Sequence, residues 1–130
     1  MPPLILIVED EKILADSMAL YLERHAYATA VVYAGEDSLE LAEENSPDVM
    51  VVDIQLPGID GLEVLRRIRE ASPSTEVVMI TAYASIATAV EAMKRGAFDY
   101  LSKPLDLVEL CAVVAKALTH GHTRQSLSSP

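Results

Sequence analysis

The strongest constraint on the fold is an alternation, repeated five times, between short apolar runs and longer segments whose apolar residues recur at helical spacing. The short runs are strand candidates, and they span residues 4–8, 28–32, 49–53, 77–81 and 97–101. Strands that alternate with helices form parallel sheets, and right-handed crossovers place the helices on both faces. The sequence therefore predicts an α/β fold, a doubly wound sheet of five parallel strands flanked by five helices.

The ends of this pattern set the domain limits. The first, third and fourth runs are apolar throughout, as expected for central strands that helices cover on both faces. Apolar periodicity ends near His120, after which Gly, Ser, Thr and Pro dominate. We therefore expect one domain over residues 1–119 and a tail, or the start of a linker, over residues 120–130.

Composition narrows the class of protein. Hydrophobic residues make up 51% of the chain and charged residues 23%, which excludes a disordered chain, and the apolar runs are too short to span a bilayer. The single cysteine, Cys111, cannot form an internal disulfide, which favours a reducing compartment and a cytoplasmic location. The net charge of −10 without a basic stripe argues against direct binding of nucleic acid by this segment.

Polar side chains collect where the predicted strands end. Glu9, Asp10 and Asp53 supply carboxylates, Thr81 supplies a hydroxyl and Lys103 supplies an ammonium group. Ligands of open parallel sheets bind outside the carboxyl ends of the strands, so these groups should lie close together. Three converging carboxylates would repel one another without a cation between them, and oxygen ligands suit Mg²⁺. The pattern therefore predicts a magnesium site.

The hydroxyl and ammonium groups extend this prediction to phosphoryl transfer. Such transfer depends on placing positive charge and hydrogen-bond donors around the migrating oxygens, which a site that only held Mg²⁺ would not need. We interpret Asp53 as the nucleophile that accepts the phosphoryl group, with the Thr81 and Lys103 side chains assisting. Asp10 is then a direct metal ligand and Glu9 an outer ligand acting through water. The same prediction makes the Gln55 backbone carbonyl a further ligand.

Each of these residues has an ordinary explanation when it is considered alone. Residues 9–11 are acidic and would usually be a solvated charge run. Asp53 precedes a turn-like segment, residues 54–58, and could be a turn or cap residue. Thr81 is a typical strand residue and Lys103 a typical surface residue. Only their expected convergence favours a site.

Four motifs resemble the receiver domain of bacterial two-component response regulators. They are IVEDE at residues 7–11, VVDIQLPGIDG at 51–61, ITAY at 80–83 and GAFDYLSKP at 96–104. The resemblance covers the chain up to about His120. It implies a flavodoxin-like sheet with strand order 2-1-3-4-5, a sensor histidine kinase as phosphoryl donor, and a cis peptide bond before Pro104. It also implies a phospho-acceptor signalling domain with self-catalysed phosphotransfer and slow autodephosphorylation, instead of a metabolic enzyme.

Residues 81–101 resemble, more narrowly, receivers of the NtrC type, which usually precede an ATPase domain that activates transcription. This implies a downstream effector domain, with ATPase or DNA-binding activity, in a longer protein. The receiver resemblance also implies that Thr81 and Tyr100 move on phosphorylation. We expect the fourth helix, fifth strand and fifth helix to respond and to form a homodimer surface.

Two residues near the acceptor suggest a long-lived phosphate. Gln55 and Tyr83 each lie two residues beyond a site residue, where side chains can orient or exclude water. Gln55 is not an acid and Tyr83 is bulky. Our hypothesis is that Tyr83 shields the phosphate of Asp53.

Three other functions compete with this interpretation. A phosphatase of the haloacid-dehalogenase type needs a second Asp two residues after its nucleophile, where this chain has Gln55. A flavodoxin-like FMN carrier would have a Ser, Thr or Gly-rich first turn in place of the acidic residues 9–11. A receiver that acts by docking alone would not need the complete set of site residues. The sequence leaves open whether the chain acts alone or as the first domain of a longer regulator, and the acidic charge and the tail favour the latter.

Overall fold

The computed structural model describes the backbone of residues 1–82 and 85–128, and the side chains of these residues up to Gly121. Strands and helices alternate through the described chain. The strands are β1 Leu4–Val8, β2 Ala28–Val32, β3 Val49–Asp53, β4 Glu76–Thr81 and β5 Asp99–Ser102. The helices are α1 Lys12–Arg24, α2 Gly35–Asn45, α3 Gly61–Ala71, α4 Ile86–Lys94 and α5 Leu107–Ser128.

All strand pairs are parallel, and the sheet order is β2-β1-β3-β4-β5. This confirms the doubly wound fold and its implied strand order. The central strands are β1, β3 and β4, and every residue of β3 and β4 is buried. The continuous apolar runs of these strands are explained by this burial on both faces.

Two predicted strand boundaries were wrong. β4 begins one residue earlier than expected, at Glu76, and β5 spans Asp99–Ser102 instead of residues 97–101. The backbone N–H of Ala97 donates to the carbonyl of Ala92 at 3.0 Å, so Ala97 still belongs to the turn that follows α4. The strand can begin only after this turn is complete.

The sheet separates two apolar layers. Alternate residues of β1 point to opposite faces, Ile5 and Ile7 to one layer and Leu6 and Val8 to the other. The first layer includes buried residues of α1 and α5, and the second includes residues of α2, α3 and α4. The helices therefore cover both faces of the strands and leave their ends available for polar groups.

The starts of α3 and α5 are fixed by side-chain caps. Asp60 accepts a hydrogen bond from the backbone N–H of Glu63 at 2.9 Å, and Asp106 accepts one from Val108 at the same distance. These bonds satisfy amide groups that have no partner inside the helix.

Near the C-terminus, α5 continues past residue 120, and the predicted boundary between residues 119 and 120 stays a prediction. No helix in the described part of the chain is both long and apolar enough to cross a membrane.

Candidate functional site

The carboxyl ends of β1 and β3 bring three carboxylates together. Because Val8 pairs with Val52, Glu9, just past the end of β1, lies at the same level as Asp53, the last residue of β3. Each of Glu9, Asp10 and Asp53 offers a carboxylate oxygen, and these oxygens lie within 4.8 Å of one another. Glu9 and Asp53 are buried, whereas Asp10 is exposed. The predicted convergence of these side chains is therefore present in the structure.

Lys103 reaches into this cluster from the segment after β5. Its Nζ atom lies 3.0 Å from Asp53 Oδ2 and 3.2 Å from Glu11 Oε2, and it donates a hydrogen bond to each. It also lies 2.7 Å from Glu9 Oε1, an ion-pair contact without hydrogen-bond geometry. The backbone N–H of Lys103 donates to the Thr81 carbonyl at 2.8 Å, which fixes where the side chain starts. The peptide bond between Lys103 and Pro104 is cis, the geometry that the resemblance implies.

The electrostatics of the cluster follow from burial and from close charges. Burial raises the pKa of Glu9 to about 7, against the opposing effects of the Glu11 N–H group and the Lys103 ammonium. Burial alone would lower the pKa of Lys103, but its contacts with Glu9 and Asp53 raise it above its usual value. A firmly protonated lysine therefore faces a surplus of acidic groups.

The donor set suits a divalent cation. Mg²⁺ prefers oxygen ligands and is commonly held by one or two carboxylates that leave open positions. Glu9, Asp10 and Asp53 present such oxygens, and one of the three side chains is open to solvent. The residues present therefore fit Mg²⁺. The backbone N–H of Gln55 donates to Asp53 Oδ1 at 2.9 Å, while the role of the Gln55 carbonyl as a ligand stays a prediction.

The predicted switch residues lie on the two strands beyond Asp53. Thr81 is buried at the end of β4, which pairs with both β3 and β5. Tyr100 is half-buried on β5, pairs with Met79, and packs against the layer that contains α2, α3 and α4. Their movement stays a prediction. Tyr83, proposed as a shield for the phosphate, lies outside the described residues.

Sequence reasoning gave no individual role to Glu11, although it contacts Lys103. Glu11 also donates its backbone N–H to Glu9 Oε2 at 3.0 Å, and so helps to orient that buried carboxylate. Its position next to the acidic pair was visible in the sequence. Its contact with Lys103 was not, because the two residues are 92 positions apart along the chain.

Comparison with known proteins agrees with this geometry. A family model described as the response regulator receiver domain matches residues 5–115. The uncharacterized transcriptional regulatory protein YkoG of Bacillus subtilis is 39% identical over 120 residues, which cover 92% of this chain and 53% of YkoG. The transcriptional regulatory protein ZraR of Escherichia coli K12 is 38% identical over 119 residues, which cover 92% of this chain and 27% of ZraR. The chain thus spans about half of one relative and about a quarter of the other.

Solved structures show the same fold. The crystal structure of NtrX from Brucella abortus superposes with a TM-score of 0.92 at 32% identity, over 98% of this chain and 30% of NtrX. ZraR and NtrX are regulators of the NtrC type, which confirms the narrower resemblance of residues 81–101.

Proposed function

This chain belongs to the family of response regulator receiver domains, and from that premise we propose that it is a phosphorylation-dependent switch with Asp53 as the phosphoryl acceptor. One observation carries the proposal. The buried carboxylate of Asp53 lies 3.0 Å from the Lys103 ammonium and within 4.8 Å of carboxylate oxygens of Glu9 and Asp10. A buried carboxylate, an ammonium group and two further carboxylates therefore lie together, which supports the roles of nucleophile, fixed cation and metal ligands in this proposal.

The phosphoryl donor in this proposal is a phosphohistidine of a sensor kinase. An Asp53 carboxylate oxygen attacks phosphorus and forms the new P–O bond. The P–N bond breaks, its electron pair returns to the histidine ring nitrogen, and that nitrogen takes up a proton. Bound Mg²⁺ would supply positive charge beside the transferring phosphoryl oxygens.

The side chains around Asp53 have distinct tasks in this step. Lys103 already donates to Asp53 Oδ2 and is held by Glu11, so its ammonium group can follow the charge as it moves onto the phosphoryl oxygens. Thr81, at the end of the neighbouring strand, would donate its hydroxyl to the same group. Glu9 and Asp10 would hold the cation, with Glu9 acting through water. These fixed donors lower the need for reorganisation during transfer.

The proposed output is a change at the face formed by α4, β5 and α5. Thr81 would turn towards the phosphoryl group and Tyr100 would follow, which is a two-state rearrangement. Moving such an equilibrium from mostly off to mostly on requires about 5 kcal/mol of differential binding. A new dianion beside Lys103, Thr81 and the metal is able to supply energy on this scale.

Exposed apolar side chains support a homodimer at this face. Ile86, Val90 and Met93 recur along α4 with 85%, 45% and 46% of their surface exposed, and Val108 of α5 is 66% exposed. Exposed apolar groups on these two helices favour association with another protein surface.

The relatives are longer than this chain, so we propose that the switch acts on a downstream effector domain that regulates transcription. We also propose that it acts in the cytoplasm.

The test is phosphorylation in vitro with acetyl phosphate and Mg²⁺, followed by intact-mass analysis. The wild-type chain should gain one phosphoryl group, which chelation of Mg²⁺ should prevent, and Asp53→Asn should gain none. Asp60→Asn is the matched control, because this exposed aspartate lies in the same loop and asparagine also caps helices. Equal labelling of Asp53→Asn would refute the assignment, and no labelling of wild type would favour a receiver that acts by docking alone.

A further inference from the structure

The loop between β3 and α3 joins the phosphoryl acceptor to the next helix, and it is fastened at its start. The Gln55 N–H group bonds to the Asp53 side chain, and the Gly61 N–H group bonds to the Ile54 carbonyl at 2.8 Å. A Cβ atom on Gly61 would overlap the Asp53 carbonyl oxygen and would lie 2.7 Å from the Ile54 Cα atom. The backbone at Gly61, where the loop ends, therefore packs directly against the backbone of Asp53.

The far side of the loop is held from another helix. Glu36, in the first turn of α2, accepts a hydrogen bond at 3.0 Å from the backbone N–H of Ile59. Gly58, the residue before, has a φ of 76°, and a Cβ atom there would overlap the Glu36 carboxylate. The close approach of the carboxylate and the left-handed backbone together require glycine at this position.

This contact acts on the charge state of Glu36. The hydrogen bond from Ile59 lowers the pKa of Glu36, because it favours the ionised carboxylate. A hydrogen bond from an amide to a carboxylate is charge-assisted and is stronger than one between neutral groups. Glu36 lies 17 positions before Asp53 in the chain, and neither the strand-end rule nor the receiver motifs point to it.

We propose that Glu36 is a positioning residue for the site, which holds Ile59 and thereby fixes the loop that carries Gln55 past Asp53. The inference rests on the proposed function, since the loop matters because it carries a predicted metal ligand next to the acceptor. Within the described residues, Glu36 forms no hydrogen bond or ion pair with Asp53, Glu9 or Asp10. It acts through Ile59, as outer groups that orient ligands do in other metal sites.

The test compares substitutions that separate the reach of the side chain from its charge. Glu36→Gln keeps an acceptor oxygen at the same distance, whereas Glu36→Asp keeps the charge but withdraws it by one methylene. Glu36→Ala removes both. Asp37→Ala is the control, because Asp37 is an exposed carboxylate in the same first turn of α2. Two quantities are measured on the unphosphorylated protein, Mg²⁺ affinity by calorimetry and hydrogen exchange of the Ile59 amide by NMR.

We expect Glu36→Ala and Glu36→Asp to speed exchange at Ile59 roughly 10-fold and to weaken Mg²⁺ binding on the order of 10-fold. Glu36→Gln should keep both the slow exchange at Ile59 and the Mg²⁺ affinity close to those of the wild type. Asp37→Ala should change neither quantity. Faster exchange at Ile59 with unchanged Mg²⁺ affinity would show a merely structural bond and overturn the proposal. Should Glu36→Ala fail to fold, the comparison of Gln with Asp decides. A wild-type chain that binds no Mg²⁺ would instead overturn the metal site of the proposed function.

Discussion

Acidic side chains are buried at both ends of the sheet, but the two ends balance the charge differently. At the amino ends of the strands, Glu76 begins β4 and is 1% exposed. Its Oε1 atom lies 3.8 Å from Arg69 Nη1, and its Oε2 atom lies 3.0 Å from His120 Nδ1. We call these three residues, Arg69, Glu76 and His120, the amino-edge cluster. In this cluster one acidic side chain contacts two basic side chains.

At the carboxyl ends the ratio is reversed. The carboxyl-edge cluster of Glu9, Asp10, Glu11, Asp53 and Lys103 contains four acids and one ammonium group. A buried charge is costly unless another charge compensates it. The difference teaches that a buried acid can be balanced within the protein, whereas surplus acids leave negative charge that a bound cation would balance, as the proposed function requires.

The largest expected effect is at the amino-edge cluster. Glu76→Gln takes a negative charge away from a guanidinium whose side chain is only 15% exposed. Removing one member of a buried ion pair costs about 3 kcal/mol, so the free energy of unfolding should fall by this amount. Urea unfolding at neutral pH measures it. Phosphorylation by acetyl phosphate should persist under conditions where the variant is folded.

Glu44→Gln, an exposed substitution of the same type in α2, is the control for this loss. A loss for Glu76→Gln no greater than that of the control would break the comparison, since the matched acid would then contribute nothing to stability.

At the carboxyl-edge cluster, we expect removal of a charge to raise the free energy of unfolding instead of lowering it. Asp10→Asn removes one of the surplus charges, and the exposed position of Asp10 limits the repulsion to about 1 kcal/mol. The metal-free variant should therefore be more stable than the metal-free wild type. Added Mg²⁺ should raise the melting temperature of wild type but hardly that of the variant, because ligand binding stabilises the folded state.

Thermal unfolding with a chelator and with excess Mg²⁺ measures both effects. Asp16→Asn, at an exposed position on α1, is the matched control and should keep the response to Mg²⁺. If Asp10→Asn were less stable than wild type without metal, the carboxyl-edge cluster would have no surplus of negative charge.

The two clusters also differ in how far the sequence could predict them. The carboxyl-edge cluster was predictable because a rule about parallel sheets names the residues just past each strand. No such rule applies to the amino-edge cluster, where Glu76 and His120 are 44 positions apart. Their contact depends on how α5 packs over the sheet, and this is a property of the assembled fold.

Signals in the local sequence likewise predicted only contacts between residues that are close together in the chain. The Asp60 cap was predictable, since both partners lie within one turn. The start of β5 was not, because the hydrogen bond that keeps Ala97 in the turn after α4 competes with strand pairing, and only the packed structure decides between them. The contact between Glu36 and Ile59 likewise joins two separate segments of the chain, the helix α2 and the loop between β3 and α3.

The smallest expected effect is on the exposed surface of α3, which serves as a reference for both buried clusters. Glu63 accepts hydrogen bonds from Arg66 and Arg67, at 2.7 and 2.8 Å, and these bonds lower its pKa from 4.5 to about 2. The folded state therefore binds a proton less readily than the unfolded state. The pairing stabilises the fold above about pH 5, and the stabilisation is lost as the pH falls towards about 2.

Glu63→Gln should thus be slightly less stable than wild type at neutral pH, and the difference should shrink as the pH is lowered. The three side chains are 31% to 48% exposed, so water and salt screen the pairing and the loss should be well below that of Glu76→Gln. Urea unfolding at about pH 7, 5, 4 and 3 tests this, with Glu40→Gln on α2 as the control at each pH. If the stability difference did not change with pH, the two arginines would not stabilise the ionised Glu63. If the loss of stability equalled that of Glu76→Gln, burial would not be what distinguishes the amino-edge cluster from ordinary surface pairs.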